Sequence, residues 1–187
     1  HALGLAATQA AGLKSMFGTM AKPLHAGKAA MNGLMAAQLA ARGFTANEQA
    51  IEGAQGFART LAPELNPFPA TIDTTSGFAI ERTLFKYHAA CYLTHSTIEA
   101  LAGLRQDHDL EPDQLAAVTL EVDPGHLKVC HIEEPASGLE VKFSLRHTAA
   151  MALSGIDTSN PETYTDELAG RPDLVSLRRR VEVQPSG

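Results

Sequence analysis

Every hydrophobic period in this sequence stops between residues 60 and 82. Pro63, Pro67, Pro69, Thr71, Asp73, Thr74, Thr75, Ser76 and Gly77 crowd that stretch. Proline removes a backbone donor and fixes φ, and Thr, Ser and Gly favour turns, so neither helix nor strand is expected there. A connection of that length is usually functional or inter-domain. It therefore predicts a boundary near residue 82, with one part over 1–82 and another over 83–187.

The two sides differ in pattern. The first sixty residues are dense in alanine, with Leu and Met among them, which favours helix. Residues 2–13 are apolar on nearly all sides and predict a helix buried on every face. A break follows at Gly18. A long helical run then leads to Arg42, with Gly43 placed as a C-terminal cap. Thr45-Ala46-Asn47-Glu48 has the form of a capping box that opens another helix.

Beyond residue 82 the periods mix. Ser96 and Glu99 form a second candidate capping box, for a helix through about Asp107 with Ile98, Leu101 and Leu104 on one face. Val118, Leu120 and Val122 alternate with Thr119 and Glu121, as in a strand, which Asp123-Pro124-Gly125 ends. Residues 139–153 return to helix, stopped at Gly155. Short helices are expected over Tyr164–Ala169 and Pro172–Arg178, and a strand without a following partner over Arg180–Val183. The expected class is therefore all-α first and α+β second.

Composition removes several functions. Hydrophobic residues make up 44% of the 187, enough for a packed core and against wholesale disorder. The net charge of −6 leaves no basic surplus for phosphates, so a nucleic-acid partner is not expected. No apolar run approaches the roughly 18 residues of a membrane span. Two cysteines, Cys91 and Cys130, cannot make a disulfide scaffold, which makes a reducing, cytoplasmic setting the expectation. The chain opens without Met or a secretory signature, and is expected to be a segment of something longer.

Two clusters could carry chemistry. Lys22-Pro23-Leu24-His25-Ala26-Gly27-Lys28 reads as a helix start, with Lys22 just before it and His25 in the first turn. Unpaired N–H groups, the positive dipole end and the lysines suit an anion such as a carboxylate, and Gly27 allows close approach. An ordinary solvated basic turn fits the same residues. The second cluster runs from Phe85 to His95 and holds Lys86, Tyr87, His88, Cys91, Tyr92 and His95. Lysine can hold a carboxylate and histidine can move a proton near neutral pH, although an amphipathic connector with Cys91 buried also fits. Cys130-His131, with His126 nearby, lacks the second ligand pair of a zinc site, so no metal is expected. Lys142 and Arg146 stand four apart, on one face of the expected late helix, with His147 beside them. No Gly-rich phosphate loop, G-x-S-x-G elbow or H-E-x-x-H pair occurs.

Three ordered blocks resemble the MmgE/PrpD family, which includes 2-methylcitrate dehydratase, cis-aconitate decarboxylase and iminodisuccinate epimerase. The first is Thr8–Leu13 continuing through Phe17–Ala30 and Gly33. In the second, Lys86, Cys91 and His95 stand at the spacing of the family's K-x-Y-x-x-C-x-x-x-H pattern. The third is 140–144. The resemblance implies a portion of a large helical domain over 1–82 and a smaller α+β lid domain, incomplete at its C-terminus, over 83–187, with the active site between them. It implies catalytic roles for Lys22, His25, Lys86 and Cys91, and substrate binding by Gly27, Lys28, His95 and Lys142. Cys91 falls where the decarboxylase branch carries an active-site histidine, and Ala89 replaces a frequent proline. Further family residues, an aspartate and histidines, would lie upstream of His1.

The function so implied is a cofactor-independent hydro-lyase acting on a small di- or tricarboxylate, most like 2-methylcitrate, as a homodimer. Removing a proton α to a carboxylate builds charge on an anion, which lysines would stabilise. Epimerisation of an imino or amino dicarboxylate, cis-aconitate-type decarboxylation and an inactive remnant are the alternatives.

Overall fold

The computed structural model describes residues 1–62 and 77–187. The chain divides into two compact units: His1–Ser15 with Ala21–Thr83, and Met16–Met20 with Leu84–Gly187. Of the irregular residues between 60 and 82, Pro63 to Ser76 lie outside the described residues.

The first unit carries helices α1 (Ala2–Ala7), α2 (Ala21–Ala41) and α3 (Phe57–Leu61). The helix expected over 2–13 ends at Ala7. Beyond it the backbone tightens, Gln9 N–H donating to Ala6 and Ala10 N–H to Ala7. The Gln9 amide donates to the Leu5 carbonyl at 2.7 Å, and the Asn32 amide to the Gln9 carbonyl at 3.2 Å. These side chains take carbonyls that a further turn would need. Nor is α1 buried on every face, because Leu3 is 77% exposed and only Gly4 and Leu5 are covered.

Helix α2 starts at Ala21, so Lys22 lies inside its first turn rather than before it, and Pro23 is its third residue. Proline is tolerated there, since first-turn donors have no partner within the helix. At the other end Gly43 adopts φ +83°. Its N–H donates to Ala40, and that of Phe44 donates to Leu39. That pair of bonds is a Schellman closure, which needs the left-handed residue. No helix follows at Thr45–Glu48. The Asn47 carboxamide oxygen instead accepts from Gln49 N–H at 2.9 Å, a local turn that competes with helix, and α3 waits until Phe57.

The second unit holds α4 (His95–His108), β1 (Val118–Val122), α5 (Pro124–Leu127), α6 (Gly138–Val141), α7 (Leu145–Leu153), α8 (Asp166–Ala169), α9 (Pro172–Arg178) and β2 (Val181–Pro185). The expected last strand has a partner: β2 runs parallel to β1, from Val118 opposite Val181 to Val122 opposite Pro185. A parallel pair requires a long crossover, here the chain from α5 to α9. Helix α7 is the centre of this unit. It packs against α4, α9 and β2, and from His147 to Leu153 every residue is buried. Ile98, Leu101, Leu120, Val122, Leu174, Leu177 and Val181 surround it.

Three local expectations for this unit are corrected. Helix α4 begins at His95 with no side-chain cap, because Glu99 bonds His88 instead of reaching back toward Ser96. Leu104 is 46% exposed, unlike Ile98 and Leu101. The expected helix over 139–153 is broken in two at Lys142 and Phe143. Ser144 forms an antiparallel bridge with His131, and its hydroxyl accepts from His147 N–H, so it caps α7 anew. Lys142 and Arg146 therefore do not share one helix face. Lys142 Nζ lies 4.9 Å from the centre of the Tyr164 ring, while Arg146 pairs with Glu133.

Candidate active site

In the first unit, the Lys22–Lys28 segment forms the opening turns of α2. Lys22 is exposed within the first turn. The His25 ring packs against Gly12, where an added Cβ would lie 3.2 Å from Nδ1. One turn on, Lys28 joins His25, Gln9, Asn32 and Gly33 around a cavity of about 270 Å³. Lys22 and Gly27 do not line it, and nothing stands within 4 Å of where a Gly27 Cβ would be. A larger cavity of about 880 Å³, between α1 and residues 45–61, is lined by small, amide, hydroxyl and apolar side chains. Among the described residues that line it there is no acid or base.

In the second unit, Lys86, Cys91 and His95 come together. The segment carrying them is tied down by its backbone: Ala89 N–H donates to Thr158, Cys91 N–H to Lys142, and Thr94 N–H back to Cys91. Lys86 Nζ donates to the Ala90 carbonyl at 2.9 Å, which folds the ammonium back over the segment. Lys142 thus supports Cys91 through its carbonyl, while its own ammonium faces Tyr164. The Tyr164 hydroxyl donates to the Thr158 carbonyl at 2.9 Å, and burial holds its pKa above the usual phenol value.

His95 opens α4 and is 9% exposed. The His88 ring meets it edge-on at 4.9 Å, and the Tyr92 ring stands 5.1 Å away. Burial, then the charges of His88 and Lys86, lower the His95 pKa, outweighing the Ala90 and His88 carbonyls. The ring is therefore neutral at physiological pH, and its buried Nε2 has no hydrogen-bond partner among the described residues. His88 is fixed on both sides, with Nε2 donating to Glu99 Oε1 and Nδ1 bonded to Thr158 Oγ1, each at 2.8 Å. The nearby Cys91 and burial push the pKa of the Cys130 thiol up, while the Lys86 charge opposes that. No group of His, Cys, Asp or Glu among the described residues is arranged to hold a metal ion.

Two family models cover most of the chain. The MmgE/PrpD N-terminal domain matches residues 1–67, and the MmgE/PrpD C-terminal domain matches residues 88–186. The chain belongs to the MmgE/PrpD family. Among MmgE/PrpD relatives, it is 26% identical to the cis-aconitate decarboxylase of Homo sapiens over 98% of its own length and 39% of the relative. With the Mus musculus enzyme of the same name the identity is 25%, over 98% of the chain and 38% of the relative. The chain thus spans about two fifths of the length of these relatives.

Neither His88 nor Cys130 is among the catalytic or substrate-binding residues that the resemblance implies. His88 was visible within the 85–95 cluster, but its anchors Glu99 and Thr158 are polar residues without any pattern. Cys130 carried no signal toward Cys91, since only the fold brings both residues to the same core cluster.

Proposed function

We propose that the protein carrying this chain is a cofactor-independent hydro-lyase of the MmgE/PrpD family acting on a small di- or tricarboxylate such as 2-methylcitrate. The observation that carries the proposal is the gathering of a lysine ammonium, a neutral buried imidazole and a thiol in one anchored segment: Lys86, His95 and Cys91. Such a set suits proton removal α to a carboxylate. Lys86 and Lys22 stabilise the charge that builds on the anion. His25 and Cys91 are the groups assigned to moving the proton, and Gly27, Lys28, His95 and Lys142 to holding carboxylates. A lysine in the first turn of α2 opposes the helix dipole, an arrangement that an anionic ligand would relieve.

Decarboxylation is the second reading, favoured by the two cis-aconitate decarboxylases among the relatives. Both readings share the cation sites and part at the bond broken. No helix among the described residues is long and apolar enough to cross a membrane. We further propose a cytoplasmic homodimer with a polycarboxylate as its partner and neither nucleic acid nor lipid.

The test uses the whole enzyme with 2-methylcitrate and with cis-aconitate in deuterated water, followed by NMR. Alkene formation without carbon dioxide supports the hydro-lyase. Carbon dioxide release supports the decarboxylase, and deuterium uptake without alkene means epimerisation. Lys86→Ala and Lys22→Ala should each lower turnover at least about tenfold, with circular dichroism unchanged. Full turnover in both variants removes the site assignment.

A further inference from the structure

His88 stands outside the residues assigned to proton transfer and carboxylate binding, yet both of its ring nitrogens are tied. Nε2 donates to Glu99 Oε1 and Nδ1 bonds Thr158 Oγ1, each at 2.8 Å. A carboxylate oxygen only accepts, so Nε2 carries a proton, and in the neutral ring Nδ1 accepts from the threonine hydroxyl. The two anchors come from different elements. Glu99 lies on α4, one turn beyond His95. Thr158 lies in the loop after α7, buried, and its carbonyl is itself held by Ala89 N–H and the Tyr164 hydroxyl, each at 2.9 Å. The His88 ring can neither flip nor swing without losing a bond. Its side chain is 12% exposed, and it meets the His95 ring edge-on at 4.9 Å. His95 is nine-tenths buried, and its Nε2 has no hydrogen-bond partner among the described residues. A buried polar atom left unpaired is costly, and it is the group on which a ligand gains most.

We propose that His88 is a positioning residue of this site: clamped by Glu99 and Thr158, its ring fixes the plane of the His95 imidazole, so that Nε2 is held in place to hydrogen-bond the substrate. The inference rests on the proposed activity, in which His95 holds a carboxylate. Without the clamp the His95 ring samples several orientations, and each binding event has to order it first. That cost falls on binding and so on KM. A residue that merely staples the fold acts differently: its loss lowers the fraction of competent enzyme, which reduces kcat and leaves KM unchanged. His88, Lys86 and Tyr92 face His95, and Glu99 acts on it through His88. Burial and then the His88 charge are the first causes that lower the His95 pKa, so removing the His88 ring raises it.

The experiment measures kcat and KM of the whole enzyme with 2-methylcitrate and cis-aconitate for the wild type, Thr158→Val, Thr158→Ser and Glu99→Ala. The valine deletes the hydroxyl but keeps the Thr158 carbonyl, and the Glu99 side chain is 68% exposed, so neither change empties the core. KM should rise about fivefold in Thr158→Val and about threefold in Glu99→Ala, with kcat within about twofold, and Thr158→Ser should restore it. An unchanged KM in both variants, or a fall in kcat alone, would overturn the proposal. Histidine-ring NMR on His88→Gln, with the signal assigned through His95→Gln, should show His95 titrating at higher pH than in the wild type, and coincident curves would also overturn it. This second measurement needs no turnover. If neither acid is converted, the proposed activity fails, and the His95 titration still decides the role of His88.

Discussion

The two units bury apolar surface very differently. Among its described residues the first unit buries the apolar side chains of Leu5 and Ala36, whereas the second buries a continuous cluster from Ala90 to Val181. Helix α2 is the longest described, yet Leu24, Met31 and Leu34 are each 60–64% exposed on it. Helix α7 is less than half as long, and every residue of it except Arg146 is buried. The contrast separates two causes of helix. Alanine-rich α2 follows from backbone propensity, while α7 is held by what surrounds it.

Truncating the second core is the strongest way to break that comparison. Met151→Ala and Leu174→Ala should each cost about 2–5 kcal/mol in urea unfolding, and Leu34→Ala on α2 no more than about 0.5 kcal/mol. Amide exchange should agree, with α7 protected far longer than α2. Equal costs at the two sites would mean that α2 draws its stability from burial after all.

Acid sharpens the same contrast. His147 on α7 is fully buried, and burial, aided by the Arg178 charge, lowers its pKa from 6.5 to about 4. The folded state thus holds the ring neutral where the unfolded chain would protonate it. Stability from this group is complete above about pH 6.5 and is lost as pH falls toward 4, on the order of 3 kcal/mol in total. The urea midpoint of the second unit should fall across that window. His147→Gln should flatten the slope, and an unchanged slope would assign the acid sensitivity to another group.

The smallest test compares two helix caps. Gly43 and Gly155 both have positive φ and both close Schellman turns, Gly155 N–H donating to Ala152 and Ile156 N–H to Met151. A Cβ on Gly43 meets nothing within 4 Å, but one on Gly155 lies 3.0 Å from the Arg105 guanidinium. Gly43→Ala should cost only the left-handed strain, about 1 kcal/mol, and Gly155→Ala that strain plus displacement of Arg105. Thermal melts of the pair decide it, and the reverse ranking would contradict the packing around α7.

Much of the local structure was legible. Gly43 and Gly155 end their helices because only glycine takes positive φ freely, and Val118, Leu120 and Val122 alternate because one face of β1 is covered. Errors arose where side chains claimed backbone groups in ways no period records. Gln9 and Asn32 ended α1, Asn47 turned a capping box into a loop, and Ser144 split the late helix. Of the candidate site, Lys86, Cys91 and His95 were legible because they share one segment. The roles of His88, Glu99 and Thr158 were not, because their bonds join distant stretches.

Residue order by itself determined which stretches are helix or strand, where glycine must stop them, and which short segments concentrate cations, imidazoles and thiols. Those properties depend on neighbours within a turn or two. The tertiary structure alone decided that β2 returns to β1, that His95 is buried with its pKa lowered, and that Cys91 and Cys130 reach the same core cluster. Burial and long-range contact depend on how the whole chain packs, and no spacing in the sequence encodes them.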